Sequence, residues 1–205
     1  MRGKALTVVG LDLAGVPGRP TGFCLLRGLR AETREFFGDA EILDAVAAAA
    51  PDLVAIDAPL HLPPGRSSID ERNGAHYRPC DLELRRRRIP FFPITLGPMR
   101  GLTVRGMQLR DELERRGFRT VEMYPGGAQD VWGMPRARRD RSGLRRGLAR
   151  LGVRGLRAGA SGHELDAASG ALVGRLLLQG RAEVLGDFGT GAIILPRRGT
   201  QKAGR

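Results

Sequence analysis

A chain of 205 residues with an ordinary apolar fraction of 41% suffices for one domain with a real core. Its formal charge of +12 points to a polyanionic partner, yet all 34 basic residues except Lys4 and Lys202 are arginine in an Ala- and Gly-rich chain, a composition that GC-rich coding bias also produces. Cys24 and Cys80 stand in unrelated contexts, which excludes a disulfide framework and a zinc pattern and suits a reducing, cytoplasmic setting; Asp12 interrupts the first apolar run too early for a secretory leader, and Pro51 and Asp52 break the best candidate for a membrane span.

Residues 5–13 are apolar at both alternating positions, as in a central strand covered on both faces. Gly15, Pro17, Gly18 and Pro20 make a turn, and 21–29 and 32–37 read as two strands meandering back antiparallel. Asp39 is a candidate N-cap for a helix through Ala50, and Leu53 to Asp57 is a short buried strand stopped by Pro59. Residues 59–98 are proline-dense and read as an insertion with one short helix near 80–88. A helix over 102–116 follows, with Val104, Leu109 and Leu113 inward and Gly117 as its cap. Residues 119–124 make a further strand, ended by Pro125, and a helix is expected around 144–151. The strongest helix spans 161–180, followed by a hairpin of 183–185 and 192–195 and by a disordered basic tail over 197–205. One domain over 1–196 results. The order of three strands, helix, strand, helix, strand, helix suits a mixed α/β sheet whose parallel centre is made by strands one, four and five.

Two of the apolar runs end in acids, at Asp12 and Asp57, and a third acid, Asp166, interrupts the apolar stretch that opens the strongest helix. A buried carboxylate is costly unless a positive charge meets it. Asp12 and Asp57 are expected on adjacent parallel strands, at the carboxyl ends where ligands of open α/β sheets collect. At roughly 4 Å two such charges repel by up to ~4 kcal/mol at a mid-range dielectric, and a divalent cation reverses that sign. Oxygen ligands without cysteine favour Mg2+ or Mn2+. His163, three residues before Asp166, can ligate or move a proton. Glu164 closes a capping box with Ser161, a role favoured over metal ligation. Glu122 is either a further ligand or an arginine's partner. The bland alternatives are a turn contact for Asp12, a turn position for Asp57 and a helix-start role for His163. In the insertion, Arg78 and the run Arg85, Arg86, Arg87 and Arg88 are candidate phosphate contacts, or else a solvated basic face with a local Asp81 ion pair.

With these residues in view, the chain resembles the uncharacterised family labelled predicted RNase H-fold nucleases. The resemblance rests on Val9–Gly15, Ala55–Leu60, Arg78–Asp81, Val121–Gly126, His163–Ala167 and Gly191–Pro196. More distantly the acids are similar to those of RuvC Holliday-junction resolvases, in which one acid lies on strand one, one follows strand four and a His-x-x-Asp-Ala or Asp-x-x-Asp-Ala motif opens the last helix. The resolvases usually carry glutamate second, where this chain has Asp57. The resemblance implies an RNase H-like three-layer fold with a five-stranded mixed sheet of order 3-2-1-4-5, helices on both faces, the insertion and a C-terminal hairpin. It implies a nuclease that hydrolyses DNA or RNA phosphodiesters by a two-metal mechanism. Asp12 would bridge the ions, Asp57 and Asp166 would each hold one, and His163 would ligate or orient water. Resolvase-like proteins often dimerise, so a homodimer is among the expectations, with nucleic acid as partner and no membrane. Two rivals stand beside this reading: a non-catalytic nucleic-acid-binding protein of the same fold, and a phosphotransferase of the ATP-handling sugar-kinase and actin group. The second needs two such folds to form a cleft, and this chain has room for one.

Overall fold

The structure is a computed structural model and describes residues 5–199. Three strands open it: β1 (Thr7–Asp12), β2 (Thr21–Arg27) and β3 (Arg30–Phe36). After α1 (Asp39–Ala49) come β4 (Leu53–Asp57), α2 (Pro79–Arg86), α3 (Met99–Arg115) and β5 (Thr120–Met123). Then follow α4 (Pro125–Val131), α5 (Arg141–Arg150), α6 (Gly162–Leu178), β6 (Ala182–Asp187) and β7 (Gly191–Pro196). The sheet runs β3-β2-β1-β4-β5-β7-β6. The expected order of the first five strands is therefore present, but the sheet has seven strands. The hairpin is no appendage: β7 pairs parallel with β5 and carries β6 as the edge.

Both faces of the sheet are covered. Val8, Cys24, Ala55, Val121 and Met123 pack with the alanines and leucines of α6 on one face. Val9, Leu11, Leu25, Val54 and Ile56 pack on the other with Ile42 and Val46 of α1 and Leu109 and Leu113 of α3. Alternate residues of β1 and β4 thus enter different cores, which is why those runs have no polar face.

Helix α6 lies unusually close to the sheet. A Cβ on Gly10 would sit 2.1 Å from the Ala167 carbonyl oxygen, and one on Gly22 2.0 Å from that of His163. Gly170 and Gly174 return the fit from the helix, against Met123 and Val8. This approach brings the start of α6 onto the tips of β1 and β4.

Several local expectations are corrected. The N-cap of α1 is Gly38; Asp39 is the first helical residue, and its carboxylate accepts two bonds from Arg105 instead. The buried residues of α3 are Thr103, Arg105, Gly106, Leu109 and Leu113, with Val104 only half-buried. Helix α4 was not foreseen, since Pro125-Gly126-Gly127 reads as a turn. Its Gly126 and Gly127 instead let the helix pack against Tyr124, Leu195 and Ile89. Of the expected tail, Arg197 still belongs to the fold and donates to the Ala182 carbonyl; residues 200–205 lie outside the described residues. Among the described residues no helix is long and apolar enough to cross a membrane.

Candidate active site

Asp12 and Asp57 are direct partners in the parallel ladder of β1 and β4. Their side chains rise from the same sheet face, about 4.8 Å apart at the backbone. Asp12 Oδ2 lies 2.7 Å from His163 Nδ1 in the first turn of α6. The turn after β1 does not need Asp12, because the Ala14 amide donates to Thr21 Oγ1. Asp166, one helical turn beyond His163, accepts at 2.6 Å from Gln129 Nε2 of α4, which also meets Ser169 Oγ.

The electrostatics reflect crowding. Burial of the Asp57 carboxyl, followed by the charges of Asp12 and Asp166, holds it well above the usual carboxylate range. Asp12 is its partner in the ladder, so the like charge beside it disfavours ionisation of Asp57. Burial and then Asp12 push Asp166 up to about 7, against the opposing pull of Gln129, His163 and Arg136. The hydrogen bond to Asp12 raises His163, whose side chain is half exposed.

Three of the acids singled out in the sequence therefore converge, with His163 beside them. They do not close into a cage: among the described residues no group of three or more His, Cys, Asp or Glu side chains is placed to hold a metal ion. The donor chemistry nonetheless suits a hard divalent cation. Two in-register carboxylates stand where such an ion would neutralise both, and burial and repulsion raise Asp57 and the third acid, Asp166.

The other candidates fall outside this cluster. Glu122 pairs in register with Ile56, the residue before Asp57, and so points to the opposite face of the sheet. There it accepts from Arg78 at 2.6 and 2.8 Å and from the Leu60 amide at 2.8 Å, so it is the arginine's partner and not a ligand. Glu164 caps α6 through the Ser161 amide and also accepts from Thr33 and Arg157, which lowers it below its ordinary range despite burial. Arg78 is no phosphate contact: it is 1% exposed and locked between Glu122 and Asp81. Arg87 is committed to Glu83 and Glu183, and Arg86 pairs with Glu83 at the surface. Arg85 and Arg88 are exposed and line a hollow with Tyr77 and Phe91.

Gln129, Tyr124 and Arg136 escaped the sequence reading. Gln129 arrives on the unforeseen α4. The Tyr124 hydroxyl donates to the Pro90 carbonyl and accepts from Arg136, whose guanidinium also forks onto Asp130.

The sheet order, the helices on both faces and the acids at the tips of β1 and β4 define an α/β protein of RNase H-like fold with an acidic site at the strand ends. The chain belongs to the family described as "Protein of unknown function (DUF429)", whose model matches residues 10–188. Among solved structures, Thermus thermophilus RuvC is similar at 13% sequence identity and a TM-score of 0.47, over 85% of this chain and 97% of that chain. T. thermophilus RuvC in complex with Holliday junction substrate is similar at 14% identity and a TM-score of 0.44, with the same coverage. No curated protein matches the chain.

Proposed function

We propose that the protein is a metal-dependent nuclease that hydrolyses phosphodiester bonds of DNA or RNA. The observation that carries this reading is the register of Asp12 and Asp57, two acids crowded together at adjacent strand tips. Asp12, Asp57 and Asp166 would hold Mg2+ or Mn2+, which supplies water activation and stabilisation of the leaving oxygen. His163 is fixed through Nδ1 by Asp12, so Nε2 is the atom able to exchange a proton with water. Gln129 orients Asp166 and holds it within reach of the pair. The excess of arginine offers a phosphate backbone its counter-charge.

A non-catalytic nucleic-acid-binding protein is the second reading, favoured by the failure of the three acids to form a closed ligand set. A cleavage screen decides between them. Branched, single-stranded and RNA–DNA hybrid substrates are incubated with Mn2+, with Asp57→Asn as control. The nuclease reading expects cleavage that the substitution reduces by at least about a hundredfold, and a melting temperature raised by millimolar Mn2+. Binding without cleavage, and without a thermal shift, leaves the non-catalytic reading.

A further inference from the structure

Beside the acids lies a cavity of about 170 Å3, between the tips of β4 and β5 and the segment that leads into α3. Asp57 forms one side of it. Phe91, Phe92, Met99, Leu102 and Tyr124 are among its apolar and aromatic lining, and the buried Arg78–Glu122 pair also borders it. A space of this size has room for one heterocyclic ring system. The walls are firm, since Tyr124 is tied to the insertion through Pro90 and held from behind by Arg136. Phe92, in contrast, is 76% exposed and leaves its ring face open to a ligand.

The charges around the cavity are ordered. Asp57 of the acidic cluster lines it, and Phe91 is shared with the adjoining hollow that the exposed Arg85 and Arg88 line. A chain of phosphates crossing from the acids to these arginines would carry its bases over the aromatic cavity. We infer that this cavity receives one unstacked base of a nucleotide next to the scissile phosphate, so that the substrate is single-stranded or locally distorted nucleic acid rather than a regular duplex. The inference rests on the nucleic-acid part of the function proposed above. Stacked bases in an intact helix cannot enter, whereas a splayed base presents its ring face to Phe91, Phe92 and Tyr124.

The test measures binding with the full chain in EDTA, so that cleavage plays no part. Fluorescently labelled duplexes carry a single-nucleotide bulge, the same bulge with an abasic site, or no bulge. The bulged duplex should bind about tenfold more tightly than its abasic counterpart. Phe92→Ala should remove that difference, Phe92→Tyr should restore it, and both should leave the regular duplex and the melting temperature unchanged. Equal affinity for base and abasic site, or an equal effect of Phe92→Ala on all three duplexes, overturns the inference, as does absence of binding to any of them. A base-dependent affinity without Mn2+-dependent cleavage supports the cavity while removing the nuclease reading. Cleavage without base dependence does the reverse.

Discussion

Asp57 and Asp166 retain protons in the folded protein at pH values where an unfolded chain would have released them. The sign of the consequence follows. An acid whose folded pKa is raised stabilises the fold at low pH, and this stability is lost as pH climbs from the unfolded value near 3.8 to about 7 for Asp166. His163 acts in the same direction, because the bond to Asp12 favours its protonated form and that contribution fades as pH rises through its elevated value. The urea midpoint should therefore be higher at pH 5 than at pH 8. Asp166→Asn should flatten this slope and raise ion-free stability at pH 8 by on the order of 2–4 kcal/mol, since Asn keeps the oxygen that Gln129 bonds. An unaltered slope in the variant would show that Asp166 is not the titrating group. Arg78 makes a different statement. Arg78→Met strands Glu122 and Asp81 as unpaired buried acids and should cost about 3–5 kcal/mol in denaturant unfolding. Arg85→Ala, at an exposed position, should stay within about 0.5 kcal/mol of the parent. The Arg78–Asp81 spacing suggests a local ion pair in the sequence, but nothing there shows its burial or the third partner 44 residues away.

Among the elements, α6 does most to assemble the site. It presents Asp166 and His163 to the strand tips because Gly10 and Gly22 let its backbone come within contact of β1 and β2. Gly10→Ala sets a methyl group against the Ala167 backbone, which cannot rotate away, and should cost about 3 kcal/mol or more in thermal unfolding. Gly22→Ala meets the His163 backbone itself and should also lower any Mn2+-induced rise in melting temperature, because it displaces the imidazole bonded to Asp12. A fully stable Gly10→Ala protein would contradict the close packing of α6. This helix was the most legible element: Ser161 and Glu164 form the expected capping box, and the small residues along it announce a tight partner. Helix α4 was the least legible. Two glycines after a proline are turn residues by local preference, and only contact with Tyr124, Leu195 and Ile89 makes a helix there worthwhile. With α4 went Gln129, and so the hold on Asp166.

For the molecule as a whole, the charge of +12 predicts nucleic-acid affinity that falls steeply with salt. Replacing both Arg85 and Arg88 by alanine should shallow the log–log salt slope by about 2, read by fluorescence anisotropy across a salt series; a flat response in the parent protein would remove the polyanion argument. The basic run cannot be counted as four contacts, because Arg87 and Arg86 are paired within the protein. The sheet shows a similar division. The order of its first five strands follows from chain order and right-handed crossovers. The docking of β7 beside β5 does not, because a short hairpin carries no mark of the edge it will join. Strands, the Ser161–Glu164 cap and the acids at the ends of apolar runs are local matters, settled by hydrogen bonds and side-chain periods within a few residues, and these were readable along the chain. Which of many arginines meets Glu122, which way Glu122 faces, and how Gln129 reaches Asp166 are contests between groups distant in sequence. Burial and geometry decide those contests, and neither exists until the layers have packed.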